Sequence, residues 1–148
     1  MEAVILAAGK GTRMHSKSPK VLHIVGNKPM LAHVIDSAVS AGAKKIHVVV
    51  GNDGKQVKDQ IRSFTFQNKI SWVLQAEQLG TAHAVQKAIP HIGTKTRNEH
   101  ILVLYGDVPL IRPDTLRQLL ASTRANTIGI LTLITAKNRG LGRILSCL

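Results

Sequence analysis

Short apolar runs alternate along this chain with longer stretches of helical period. Ala3–Leu6, Ile46–Val50, Ile70–Leu74 and Ile101–Tyr105 have the length and composition of buried parallel strands. Val21–Val25 reads as a short extended piece, turned by Gly26-Asn27. Pro29 opens a helix with Leu31, Val34, Ile35 and Ala38 on one face, and Gly42 stops it. Lys55–Arg62, after Asp53-Gly54, reads as a short amphipathic helix. Thr81–Ile89 is a third helix that Pro90 ends, and Pro113–Ser122 a fourth. Thr127–Thr135 is rich in β-branched residues and reads as a last strand-like run. This rhythm predicts an α/β fold, a three-layer α/β/α sandwich around a mostly parallel sheet. Ligands of such sheets sit at the carboxyl ends of the strands. Gly93–Asn98 is a polar surface loop, and there is no internal repeat or low-complexity linker.

Composition narrows the possibilities. A chain of 148 residues, 44% hydrophobic, builds one domain with a sizeable core. No apolar run approaches the ~20 residues that span a bilayer, and Met1-Glu2 opens no signal peptide. A single cysteine, Cys147, permits no intrachain disulfide and fits a reducing cytoplasm. The seven histidines show no zinc-ligand spacing. The net charge of +12 raises nucleic-acid binding as a rival function. The basic residues are spread rather than clustered, however, and aromatics are only 3%, which argues against base-stacking platforms.

The chemistry concentrates where strands end. After Leu6 comes Ala7-Ala8-Gly9-Lys10-Gly11-Thr12-Arg13-Met14, then Pro19-Lys20. Small residues let the backbone turn sharply, and its exposed N–H groups can cradle phosphate oxygens. Lys10, Arg13 and Lys20 bring three cations to the same neighbourhood. The loop is neither a Walker loop nor a dinucleotide fingerprint, because Met14 stands where the third glycine would be. Gln75-Ala76-Glu77-Gln78-Leu79-Gly80-Thr81-Ala82-His83-Ala84 follows the third strand, and Tyr105-Gly106-Asp107-Val108-Pro109 closes the fourth. All three segments should converge on one rim of the sheet. Asp107 is a hard-oxygen candidate for Mg²⁺, or an Asx turn ahead of Pro109. Gln75 and Gln78 carry amides able to pair with a base edge, or supply ordinary loop polarity.

These segments resemble sugar-phosphate nucleotidyltransferases, whose signature is Leu-Ala-Ala-Gly-x-Gly-Thr-Arg-Met followed by Pro-Lys. The Gln-Leu-Gly-Thr-Ala-His and Tyr-Gly-Asp-Val-Pro-Leu segments narrow the likeness to the bacterial bifunctional N-acetylglucosamine-1-phosphate uridylyltransferases, over residues 1 to about 136. The resemblance implies a Rossmann-like nucleotide-diphospho-sugar transferase fold, with residues 1–148 forming the N-terminal portion of the pyrophosphorylase domain. It implies transfer of UMP from UTP to N-acetylglucosamine 1-phosphate, giving UDP-N-acetylglucosamine and pyrophosphate for peptidoglycan and lipopolysaccharide precursors. Arg13 and Lys20 take the catalytic charge-neutralising roles. Leu6, Ala7, Ala8, Gly9, Lys20, Gln75, Gln78, Gly80, Thr81, Tyr105, Gly106 and Asp107 line the nucleotide and substrate site, and Asp107 holds Mg²⁺. His83 reads as helix surface or packing and takes no catalytic part.

The likeness departs at the C-terminal end. Asn138-Arg139-Gly140-Leu141-Gly142-Arg143-Ile144 is one residue shorter than the family's segment and lacks its proline and tyrosine. Gly142 stands where the family has a sugar-contacting glycine. The family's remaining sugar ligands, its second metal ligand and its trimerising β-helix acetyltransferase domain lie beyond the matched stretch. The expectation is therefore a monomer or non-specific association, with nucleotide binding retained and turnover low. A catalytically dead nucleotide-binding fragment is the alternative reading, and a basic nucleic-acid-binding protein a remote one.

Overall fold

A computed structural model describes residues 1–9, 16, 18–64, 66–93 and 100–135. Four strands form one parallel sheet: β1 (Glu2–Ala7), β4 (Lys45–Val50), β5 (Ile70–Leu74) and β6 (Ile101–Tyr105). Their order is β5-β4-β1-β6. The first strand thus runs through the middle, with later strands added on both sides. Ile5 lies between Val48 and Leu104, which sets the register. A two-stranded antiparallel hairpin, β2 (Ile24–Val25) with β3 (Lys28–Pro29), stands apart. Gly26 turns it at φ +64°, a conformation that costs glycine little.

The alternation of side chains along each strand divides the core in two. Ala3, Ile5, Ile46, Val48, Val50, Leu102 and Leu104 face α1 (Met30–Ser40), α2 (Gly54–Ile61) and α4 (Pro113–Ser122). Their partners there are Leu31, Val34, Ile35, Val57, Ile61 and Leu116, all buried. The opposite face sets Val4, Val49 and Val73 against Ala84 and Ala88 of α3 (Thr81–Ala88). Helices on both faces make the expected sandwich. Small residues on α3 let that helix approach closely. Its cover stops short of β6, where Ile101, Val103 and Tyr105 remain exposed.

Several expectations are corrected. Residues 127–135 form neither strand nor helix, and Ile128, Ile130, Leu133 and Ile134 are exposed. β-Branched residues favour a strand only where a neighbouring strand supplies hydrogen bonds, and no strand among the described residues pairs with this run. Val21–Val25 is not extended throughout. Lys20–Leu22 is a single 3₁₀ turn, closed by Leu22 N–H to Pro19 O (2.9 Å) and His23 N–H to Lys20 O (3.2 Å). Pro29 caps α1 rather than occupying its first turn. Pro90 does not end α3 outright, since a 3₁₀ turn over Ile89–His91 prolongs it. The loop over 94–98 lies outside the described residues.

At the amino ends of the strands, Glu2 meets His47, which is fully buried. His47 Nε2 lies 2.6 Å from Glu2 Oε2, and the Gly93 N–H donates to Glu2 Oε1 at 3.1 Å. Burial alone would raise the Glu2 carboxyl. The hydrogen bonds from His47 and Gly93, with the positive charges of the imidazole and Lys45, outweigh burial and hold it below its ordinary value. A depressed carboxyl stabilises the fold above its unfolded pKa, and that stabilisation is lost as pH falls through the folded value. Glu2→Gln is therefore expected to flatten the acid limb of stability below about pH 4.5. Urea titrations of both proteins across that limb check this. Parallel acid limbs would rule the linkage out.

Candidate active site

Each carboxyl end of the parallel sheet opens into a loop, and the loops meet. The β1–β6 ladder continues one residue past Tyr105, with Gly106 N–H donating to Leu6 O at 2.9 Å. This sets Gly106 beside the end of β1, before the chain turns out at Asp107. A Cβ at Gly106 would stand 3.1 Å from Leu6 O, 3.3 Å from Val21 Cγ1 and 3.4 Å from Leu31 Cδ1. The site floor thus rests on α1 and on the 3₁₀ turn, and a side chain here would need the Leu6 carbonyl to give by a few tenths of an ångström. The same turn raises Lys20, whose Nζ lies 2.6 Å from Asp107 Oδ2. Both side chains are partly exposed, at 40% and 30%. The pair therefore contributes at most about 1 kcal/mol to stability. Holding a cation and a carboxylate together on an open rim is better suited to binding than to folding.

The third segment comes from the other side. Gln75 N–H donates to Val50 O at 2.8 Å, extending the β4–β5 ladder. Its side chain is buried, 3% exposed, and points back over the loop. Gln75 Nε2 donates to Gly80 O (3.1 Å) and lies 3.0 Å from His83 Nδ1. Gly80 sits at φ +98° and leads into α3, whose first residue is the exposed Thr81. Gln78 reaches towards the first loop across Gly51. A Cβ at Gly51 would stand 2.6 Å from Gln78 Nε2 and 3.1 Å from Ala8 O. Gly51 is a junction that sequence reading missed. The signal for it was a glycine immediately after a strand, at the same rim as the other loops.

Leu6 and Ala7 end β1, and Ala8 and Gly9 follow it, Ala8 buried and Gly9 exposed. Tyr105 closes β6 with an exposed side chain. The structure therefore brings together Leu6, Lys20, Gly106 and Asp107 on one flank, while Ala8 lies by Gly51 and Gln78. It brings Gln75, Gln78 and Gly80 together on the other. Lys10, Arg13, Gly142 and the 138–144 segment lie outside the described residues, as does Cys147. His83, assigned to surface or packing from sequence, is half-buried and touches Gln75. Its place near the start of α3 was the available signal, because helical side chains lean towards the N-terminus and so towards the loop before it.

No described group of three or more His, Cys, Asp or Glu side chains is placed to hold a metal. Asp107 supplies a carboxylate at the end of β6, beside Lys20. That donor suits a cation completed by water and phosphate oxygens, as Mg²⁺ accepts, and does not suit an all-protein cage. No helix among the described residues is long and apolar enough to cross a membrane.

Comparison with known proteins agrees with this fold. Residues 3–143 match the family described as the MobA-like NTP transferase domain. Among solved structures, Rv0371c of Mycobacterium tuberculosis H37Rv is 24% identical, with a TM-score of 0.66 over 81% of this chain and 58% of its own. That protein has also been solved in complex with manganese. A Methanothermobacter nucleotidyl transferase is 21% identical, with a TM-score of 0.69 over 82% of this chain and 56% of its own. HddC of Yersinia pseudotuberculosis, complexed with GMP-PN, is 24% identical, with a TM-score of 0.58 over 73% of this chain and 50% of its own. At this identity the likeness establishes the shared fold, and the chain spans 50–58% of the length of these relatives.

Proposed function

The chain belongs to the MobA-like NTP transferase domain family, and from that footing we propose that it binds UTP at the converging loops and transfers UMP to N-acetylglucosamine 1-phosphate. The observation that carries this reading is the 2.6 Å contact between Lys20 and Asp107 at the carboxyl rim, which joins the first loop to the last. The buried Gln75 on the opposite flank supports it, as do the segments from Gln75 to Ala84 and from Tyr105 to Leu110. The neighbour solved with GMP-PN and the one solved with manganese make a nucleotide and a divalent cation reasonable partners.

In this reading the backbone of Leu6, Ala7, Ala8 and Gly9 receives the nucleotide, and Gln75, Gln78, Gly80 and Thr81 line the base and nucleoside pocket. Lys20 holds phosphate oxygens at the reacting centre, and Arg13 offsets charge on the departing β- and γ-phosphates. Tyr105, Gly106 and Gly142 complete the substrate contacts. Asp107 would hold Mg²⁺, which when bound supplies charge neutralisation on the triphosphate. A sugar 1-phosphate oxygen attacks the α-phosphorus in line, the bond to the bridging oxygen breaks, and pyrophosphate departs. No covalent enzyme intermediate is needed, so catalysis rests on positioning and electrostatics.

Calorimetry with Mg²⁺ and each triphosphate tests the binding half. UTP is expected to bind more tightly than ATP, and Gln75→Ala to erode that preference by about tenfold, as for a lost polar contact to the base. Equal affinities in the unmutated chain would remove Gln75 from the base pocket. A pyrophosphate-release assay with N-acetylglucosamine 1-phosphate tests the transfer half. Binding without release would leave a nucleotide-binding protein and overturn the transferase reading.

A further inference from the structure

We propose that His83 is a positioning residue for Gln75, and that it restricts this glutamine to accepting a hydrogen bond from the base. The inference rests on the nucleotide-site reading above and deepens it. Gly80 O can only accept, so the Gln75 atom 3.1 Å from it is the amide nitrogen. That nitrogen has two hydrogens. The second is directed at His83 Nδ1, 3.0 Å away. For His83 to accept it, Nδ1 must carry a lone pair, which places the imidazole proton on Nε2. Both side-chain donors of Gln75 are then committed, and among the described residues Oε1 is the side-chain atom left to meet a ligand.

The clamp has a structural reason to be rigid. Gly80 O also accepts the Ala84 N–H at 3.2 Å, so one carbonyl ties the first turn of α3 to the Gln75 side chain. Gly80 turns that carbonyl at φ +98°, a conformation that other residues rarely adopt. The strand end, the loop and the helix start are closed into one unit, with His83 as the second anchor. Without His83, the Gln75 amide keeps a single tether and can rotate to present a donor instead.

The chemical consequence is selectivity. Uracil carries N3–H between two carbonyls and can donate to a fixed Oε1. Cytosine has an acceptor at N3 and donates only from the exocyclic N4 amine, so it must shift along its edge to reach the same oxygen, whereas uracil meets it in place. Gln75 held donor-inward therefore favours UTP over CTP, and a Gln75 free to rotate serves either base.

The test uses the full chain with Mg²⁺, binding UTP and CTP in parallel calorimetric titrations. His83→Ala is expected to weaken UTP about 3–10-fold and to narrow the UTP-to-CTP ratio by a similar factor. His83→Asn, whose Oδ1 can stand near the Nδ1 position, is expected to restore both to within about twofold of the starting values. Circular dichroism melts confirm that each variant is folded. Independently, ¹⁵N spectra of the imidazoles in mildly alkaline buffer, with His83 assigned by its loss in His83→Asn, are expected to show the Nε2–H tautomer. An Nδ1–H tautomer would overturn the proposal, whatever the affinities. Unchanged affinity and selectivity in His83→Ala would overturn it too. Failure of the unmutated chain to bind either triphosphate would instead overturn the reading of the site.

Discussion

Asp107→Ala is expected to lower nucleotidyl transfer by about 10²–10³-fold, while changing the unfolding free energy by less than about 1 kcal/mol. The two figures separate because of where the carboxylate stands. It is partly exposed at the end of β6, with Lys20 Nζ 2.6 Å away and 40% exposed. Water can take over the hydrogen bonds of either group, so the fold loses little. The site loses much more. Asp107 is the acidic side chain that pairs with Lys20 at this rim, and a hard cation needs an oxygen to anchor it to the protein. Without that anchor, in the proposed reading, the metal has no carboxylate beside Lys20 to fix it over the triphosphate. Asp107→Asn keeps the shape and removes the charge, and it is expected to fall nearly as far. In calorimetry the variants should lose the difference between UTP titrated with Mg²⁺ and without it. Transfer within about threefold of the unmutated chain would show that Asp107 is only a turn residue ahead of Pro109.

Leu31→Ala is expected to carry the largest stability cost, about 2–5 kcal/mol, lowering Tm by roughly 5–20 °C. Leu31 is fully buried in α1, within the cluster that includes Ile5, Val34, Ile35 and Leu104. Truncation removes its burial and leaves a cavity that a parallel sheet cannot collapse to fill. Its position also ties stability to the site, since its Cδ1 lies 3.4 Å from where a Cβ on Gly106 would stand. Nucleotide affinity is therefore expected to weaken even where the variant remains folded, because the floor under Asp107 loosens. Ile128→Ala is the contrast. Ile128 is 89% exposed, and its truncation should change stability by less than about 0.5 kcal/mol. Urea unfolding of the three proteins measures the difference. Equal midpoints would mean that Leu31 does not pack as described.

Much of this was legible in the residues. Ile70–Leu74, Ile101–Tyr105 and Pro113–Ser122 fall where their patterns place them, and β1, β4 and α1–α3 shift by a residue or two at their ends. Apolar runs bounded by turns specify strands locally, and a proline at a helix start specifies φ locally. The nucleotide-transferase resemblance was equally local, because backbone-cradling loops depend on small residues in strict order. Thr127–Thr135 shows the limit. Its composition suits a strand, yet a strand is a relation between two segments, and no ladder among the described residues reaches this run.

The sequence by itself determined the alternation of elements, the parallel sheet and the identity of the residues at its carboxyl rim. These follow from periodicity, glycine and proline placement and the reach of a short connection. Only the tertiary structure decided that β1 runs between β4 and β6, which is what brings Gly106 beside Leu6 and sets Lys20 against Asp107 across 87 positions of chain. Only the tertiary structure, likewise, turned the Gln75 amide inward onto Gly80 and His83. Contacts between residues far apart in the chain, and the direction of a buried amide, depend on how whole elements pack. A pattern of apolar and polar positions carries no term for either.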